Sequence, residues 1–223
     1  MVKIAEIFRS IQGEGRNAGC AAVFVRLSGC NLKCPFCDTD HSGKEMDESA
    51  VVHEVMKLRK DADIDLVIFT GGEPSLQLES IETIINKVRE DGYVGSFAVE
   101  SNGTCEPEEF YAIGIDFVTI SPKCLWVSNP VASEKFGSWA DASEIKCLFD
   151  TTKDPQELRR FLDDVADSVS RSCNEVYLYL QPITDHKDDT MTQKNIQAVL
   201  HYITCEDSRW AISMQLQNIW NVR

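Results

Sequence analysis

The residues of this chain best suited to chemistry are three thiols, Cys30, Cys34 and Cys37. They stand in the run Cys30-Asn-Leu-Lys-Cys34-Pro-Phe-Cys37-Asp38-Thr39, with C-x3-C-x2-C spacing and no fourth cysteine in the run. A structural zinc site normally takes four protein ligands, whereas three thiolates can hold three corners of an iron–sulfur cube and leave one iron open. An open iron is a place for redox chemistry. Thiols at these offsets can all turn inward on one tight loop. The same residues admit two blander readings: three buried thiols that happen to be neighbours, or part of a zinc site completed from elsewhere in the chain.

A second cluster, Thr70-Gly71-Gly72-Glu73-Pro74, follows an apolar run and read alone could be an ordinary strand-to-helix turn. Beside the cysteine motif it resembles the GGEP element of the radical S-adenosylmethionine enzymes. In those enzymes three cysteines carry a [4Fe–4S] cluster, and the amino and carboxylate groups of S-adenosylmethionine chelate the fourth iron. The glycines let backbone groups approach the methionine moiety, since no Cβ stands in the way. Within that superfamily the chain resembles the 7-carboxy-7-deazaguanine synthase family. The likeness runs from Phe8-Arg-Ser-Ile-Gln-Gly-Glu-Gly15 through Arg26 and the cysteine loop to Ser121-Pro-Lys123 and Gln181-Pro182.

That resemblance implies a reaction and a set of roles. The reaction is the radical contraction of 6-carboxy-5,6,7,8-tetrahydropterin to 7-carboxy-7-deazaguanine with loss of ammonia, using S-adenosylmethionine and Mg2+, and it requires no protein nucleophile. Cys30, Cys34 and Cys37 would hold the cluster. Phe36, Cys37, Asp38, Gly72, Glu73, Ser121, Pro122, Lys123, Gln181, Pro182, Ile183 and Thr184 would border S-adenosylmethionine. Ile11, Gln12, Gly13 and Glu14 would line the pterin, with Thr70, Glu100 and Asn102 at its polar edge. Arg26 would meet the substrate carboxylate with its planar fork, although a strand arginine can equally be a salt-bridge residue. Glu100 and Asn102 could as well be loop-solvating residues, and Thr39, the implied Mg2+ ligand, could be a cap.

The C-terminus departs from the family pattern. Members commonly carry Gln-x-His-Lys near the end, where this chain has Gln215-Leu-Gln217-Asn218. Gln217 can still donate or accept a hydrogen bond, but it cannot titrate near neutral pH. Arg223 is placed to close on the substrate if the tail folds inward, against the default of a frayed end. The resemblance further implies a flavodoxin- or ferredoxin-type electron donor and a homodimer. Two rival readings use the same thiols: a glycyl-radical activase acting on a partner protein, and a non-catalytic iron–sulfur or zinc module. The glycine-rich loops would be idle in the second.

These residues need a frame, and the chain alternates apolar strand-like runs with helical periodicity. Strands are expected at Ala22–Ser28, Leu66–Thr70, Phe97–Glu100, Phe117–Ile120, Ser143–Phe149, Val176–Leu180 and near Trp210–Gln215. Helices are expected over Glu48–Arg59, over a face of Leu78, Ile81, Ile85 and Val88 ending at Asp91-Gly92, and after Pro107. Another follows Asp154-Pro155, and a last one carries Ile196, Val199, Leu200 and Ile203 on one side. Alternation of this kind predicts an α/β fold, a partial (β/α) barrel of about six parallel strands over residues 1–223 as one domain. Function would sit at the C-terminal strand ends. The polar clusters do follow the apolar runs, from the cysteine loop to Gln181-Pro-Ile-Thr184.

Composition bounds the rest. At 223 residues and 43% hydrophobic the chain can bury one sizeable core. A net charge of -14 disfavours direct nucleic-acid binding. Nine cysteines without a disulfide-like spacing, no secretory signal and no long apolar stretch read as a cytoplasmic protein with no membrane contact. Six cysteines (Cys20, Cys105, Cys124, Cys147, Cys173, Cys205) and four histidines (His41, His53, His186, His201) lack metal-ligand spacing. The segment from Cys124 to Ala142 lacks periodicity and reads as a lid or a dimer contact.

Overall fold

Most strands are short, nearly continuous apolar runs buried on both faces, so each offers one face to the helices and the other to an interior. A nine-stranded sheet in the order β3-β1-β2-β4-β5-β6-β7-β8-β9 organises the chain. The strands are β1 (Val2–Ile11), β2 (Ala21–Leu27), β3 (Lys44–Met46), β4 (Leu66–Gly71), β5 (Ser96–Ser101), β6 (Phe117–Ile120), β7 (Glu144–Phe149), β8 (Tyr177–Pro182) and β9 (Ala211–Ile212). The computed structural model describes residues 1–37, 42–127, 138–171, 175–184 and 189–222. From β2 to β9 every neighbour pairs in parallel, while β1 and β3 add an antiparallel edge. This is the mixed, mainly parallel sheet of a partial barrel. The sequence reading lacked β1 and β3, and β9 is shorter than the run expected there.

The helices are α1 (Glu48–Lys60), α2 (Leu78–Glu90), α3 (Pro107–Ala112), α4 (Pro155–Ser170), α5 (Asp189–His201) and α6 (Leu216–Trp220). Local chemistry sets their ends. Asp154 accepts from the backbone N–H of Gln156 and Glu157 (3.0 and 2.9 Å), Pro155 opens α4, and Leu158, Phe161, Leu162 and Val165 turn inward. Gly92, with φ +86, ends α2 in the left-handed conformation only glycine adopts freely. The α5 face differs from the expected one. Val199 is buried, but so is Asn195, and Leu200 is 40% exposed, because the buried stripe runs Asn195, Val199 and Tyr202, with the Asn195 amide bonded to Thr151 and to Ile183 C=O; a π-helical turn at Tyr202–Glu206 follows. Among the described residues no helix is long and apolar enough to cross a membrane.

The main core lies between the sheet and its helices: Val23, Val25, Val67, Phe69, Val99 and Ile145 meet α1, α2 and α4 residues such as Val55, Ile84 and Val165. The opposite, inner face starts as a small apolar plug of Phe8, Ala22, Phe24, Ile68 and Ala98, with Phe8 stacked on Phe24 at 5.1 Å. Two residues further along each strand the same face turns polar. Arg26 lies opposite Thr70, Glu100 opposite Thr119, and Thr119 opposite Glu144. A polar tier on an apolar plug, below the strand C-termini, is the frame of the site.

Candidate active site at the strand ends

Strand β2 delivers the chain into the cysteine loop, and β4 delivers Gly71-Gly72-Glu73 beside it. The two loops interlock through backbone: Gly72 N–H donates to Leu27 C=O (2.9 Å) and Glu73 N–H to Gly29 C=O (2.8 Å). The Glu73 carboxylate is fully buried and accepts from Ser75 N–H (3.0 Å), Ser101 Oγ–H (2.9 Å) and Asn102 N–H (2.8 Å). It therefore fastens the β4 loop to the β5 loop, and its side chain is occupied by the protein. Burial pushes its pKa up, against those hydrogen bonds.

The three thiols are electrostatic neighbours. Burial raises the pKa of Cys30, and the Glu73 and Cys37 charges add to it, while the Leu32 amide opposes. Burial likewise raises Cys34, with the Lys123 ammonium pulling the other way. Cys30 Sγ accepts from Leu32 N–H (3.4 Å) and Asn102 Nδ2–H (3.8 Å), and Asn102 also donates to Asn31 Oδ1 (2.9 Å). Asn102, expected at the pterin edge, is thus held against the cysteine loop. Trp126 meets Phe36 edge-on at 5.8 Å, so the segment after Lys123 covers one side of that loop. Asp38, Thr39 and Arg223 lie outside the described residues, as do residues 128–137 of the aperiodic segment.

An iron–sulfur cluster and a sulfonium cofactor suit this donor set. Three soft thiols share one loop, N–H donors already point at one sulfur, and the buried Gln181 Oε1 has no hydrogen-bond partner among the described residues. Lys123 donates to Ser121 Oγ (2.6 Å), and burial together with Lys146 lowers its pKa. No three His, Cys, Asp or Glu side chains among the described residues form a preset cage for a single ion.

The other half of the site comes from the opposite end of the sheet. Ile11 lies opposite Ala21, so the loop from Gln12 to Cys20 starts where β2 begins and then reaches across the inner face. Gln12 Nε2–H donates to Glu100 Oε1 (2.9 Å), and Thr70 Oγ–H donates to Glu100 Oε2 (2.7 Å). Arg16 N–H donates to Glu144 Oε2 (2.9 Å), and Gly15 N–H to Ser213 Oγ (3.0 Å). A Cβ on Gly15 would run into the Glu144 carboxylate, and one on Gly13 into Gln217, so this turn packs too tightly for side chains at either position. Ile11 itself is 37% exposed.

Glu14 is paired with Lys146, and its other oxygen accepts from Gln215 Nε2–H (3.1 Å) and Gln217 Nε2–H (2.8 Å). Burial alone would raise the Glu14 pKa; Lys146 and the two amides hold it below the usual carboxylate value. The amide that replaces the family histidine thus serves Glu14 and keeps Oε1 of Gln217 buried without a partner among the described residues. Arg26 rests on Glu6 (2.9 Å) with its guanidinium 5.6 Å above the Phe8 ring. Sequence reasoning missed Lys146 and Glu144. The available signal was two charged residues two apart in an otherwise apolar strand, hence on one face of it.

Known proteins share the sequence pattern and the fold of this chain. A family model described as the Radical SAM superfamily matches residues 24–125. A 7-carboxy-7-deazaguanine synthase of Bacteroides thetaiotaomicron is 47% identical over 125 residues, covering 55% of this chain and 62% of that protein. One from Pyrobaculum aerophilum is 32% identical over 197 residues, covering 84% and 82%. The crystal structure of QueE from Escherichia coli shares the fold, with a TM-score of 0.62 at 23% identity over 96% of this chain and 93% of that one. Sequence kinship across most of both chains and a common fold place this chain in the 7-carboxy-7-deazaguanine synthase family of radical S-adenosylmethionine enzymes, and with it imply a [4Fe–4S] cluster and S-adenosylmethionine.

Proposed function

We propose that the chain contracts 6-carboxy-5,6,7,8-tetrahydropterin to 7-carboxy-7-deazaguanine with loss of ammonia. The observation that carries this reading is the junction of two half-sites: a three-thiol loop on one side, and on the other a polar tier of Gln12, Thr70, Glu100 and Lys146. That tier is rich in acceptors and amides, which a ring bearing several N–H donors needs in return. S-adenosylmethionine on the reduced cluster supplies one-electron, hydrogen-abstracting chemistry when bound.

The protein's own residues bind and orient. Cys30, Cys34 and Cys37 hold the cluster, while Phe36, Gly72, Ser121 to Lys123 and Gln181 to Thr184 line the sulfonium compound, Glu73 acting through the loop it pins. Glu100, prepared by Thr70 and Gln12, accepts from the pterin, and Gln217 Oε1 is a further acceptor beside Gly13. Arg26 takes the substrate carboxylate by exchanging Glu6 for it, a swap its half-exposed position permits. The apolar plug below keeps water from the underside of the ring. Mg2+, with Thr39 as its one protein ligand, would fix the carboxylate with oxygen donors from substrate and solvent. A flavodoxin- or ferredoxin-type protein would deliver the electron, and two copies would associate as a homodimer.

Anaerobic reconstitution with iron and sulfide, then incubation with reductant, S-adenosylmethionine, Mg2+ and the pterin, tests this directly. A 7-deazapurine carboxylate is expected, and Cys34→Ala abolishes it. Intact wild-type cluster with no such product overturns the proposal.

A further inference from the structure

Lys146 has no role in any reading above beyond its place in the polar tier, yet it is the cation on which that tier turns. It sits on β7 with its side chain 6% exposed, paired with Glu14 and 4.0 Å from Glu100 Oε1. Three carboxylates, Glu14, Glu100 and Glu144, face its ammonium from the loop after β1, from β5 and from its own strand. Lys123 approaches from the segment after β6, and Tyr179 lies opposite it on β8.

We propose that Lys146 is the positioning residue of the substrate half of the site: its ammonium, between Glu14 and Glu100, holds Glu100 in place as an acceptor for ring N–H donors and ties the Gln12–Arg16 loop beneath the ring. The inference rests on the functional reading above. Its physical basis is that neighbouring buried carboxylates cannot all remain charged without a counter-ion, and one takes up a proton instead. A protonated Glu14 would release Lys146 and loosen the loop that brings Gln12 to Glu100. Burial opposes the Lys146 charge, but Glu14 and Glu100 outweigh burial and raise its pKa, so the ammonium persists through the neutral range. Among the described residues only Glu14 and Glu100 are within ion-pair distance of it, and methionine, an unbranched chain of similar length, removes the charge while keeping an apolar stem in the buried position.

The test compares wild type, Lys146→Met, Lys146→Arg, Glu14→Gln and the Glu14→Gln/Lys146→Met double variant, each with its cluster rebuilt. The readout is affinity for 6-carboxytetrahydropterin from mildly acidic to mildly alkaline pH. Wild type is expected to bind evenly across that range. Lys146→Met should lose at least about tenfold, most at the acidic end where a carboxyl is protonated, and Lys146→Arg should recover most of the loss. Glu14→Gln leaves Lys146 facing Glu100 and should lose less, and adding it to Lys146→Met should cost little more. Wild-type affinity in Lys146→Met, or a loss that is independent of pH and additive with Glu14→Gln, overturns the inference. If Lys146→Met does not fold, the double variant carries the test: at least about tenfold weaker binding than Glu14→Gln alone supports it, and equal binding overturns it. A wild-type protein that fails to bind the pterin sinks the functional reading first, and this inference falls with it.

Discussion

Replacing Gly72 with alanine should separate the two loops that make the cofactor half of the site. The conformation at Gly72 is not left-handed, so the argument is one of space. An added Cβ would stand 1.7 Å from the carbonyl oxygen of Gly29 and 2.5 Å from its carbon. Both are backbone atoms of the cysteine loop, so no side chain can swing aside. Bringing the contact with that oxygen out to 3.0 Å, still tight, requires the loops to part by at least 1.3 Å. The hydrogen bonds Gly72 N–H to Leu27 C=O and Glu73 N–H to Gly29 C=O lie across that gap and would break. At about 1 kcal/mol each, with about 1–2 kcal/mol of residual strain, Gly72→Ala should lose roughly 3–4 kcal/mol in urea unfolding. The functional loss should be larger in proportion, because a displacement of about 1 Å at a reacting centre can cost about 100-fold in rate. Turnover and S-adenosylmethionine affinity of the anaerobically reconstituted variant check this. A Gly72→Ala protein with wild-type stability and wild-type affinity would refute the packing of GGEP against the cysteine loop.

Two further substitutions probe the frame. Asp154→Ala removes the acceptor for two N–H groups at the start of α4 and should cost about 1 kcal/mol in denaturant unfolding with little change in turnover. Glu206→Gln tests an ion pair by pH. Arg159 meets the Glu206 carboxylate at 2.6 and 2.8 Å and, against an opposing desolvation, holds its pKa below the usual value. A depressed native pKa gives stability that is full above the unfolded-state value and is lost as pH falls through the native one. The thermal-midpoint deficit of Glu206→Gln should therefore be constant near neutrality and disappear in acid. A deficit that persists in acid would deny the ion pair its role.

What the sequence disclosed was whatever local chemistry decides. The N-cap Asp154 with Pro155, the C-terminal glycine of α2 and the succession of apolar runs and helical faces fixed most elements and set the polar clusters at one rim. Strand β1 was harder to read, because its partners β2 and β3 come later in the chain and its residues Val2 and Ile4 face the main core while Phe8 faces the inner plug. Leu200 was misplaced because the polar Asn195, satisfied by Thr151 and Ile183 C=O, takes a place on the buried stripe that an apolar pattern does not reveal. In the site, the thiols and glycines declare themselves by spacing. Glu73, Asn102 and Glu14 carry the right chemistry, but who consumes their hydrogen bonds is a matter of loops that meet only in three dimensions. Lys146 needed the same long-range meeting before its charge had a meaning.

The most direct measurement is the metal and sulfide content of anaerobically prepared protein, read with electron paramagnetic resonance before and after S-adenosylmethionine is added. About four iron and four sulfide per chain are expected, with a reduced-cluster signal that changes when the cofactor binds the open iron, and none of this in Cys34→Ala. One zinc per chain with no inorganic sulfide, or a cluster signal indifferent to S-adenosylmethionine, would contradict a three-thiol cluster with a free corner.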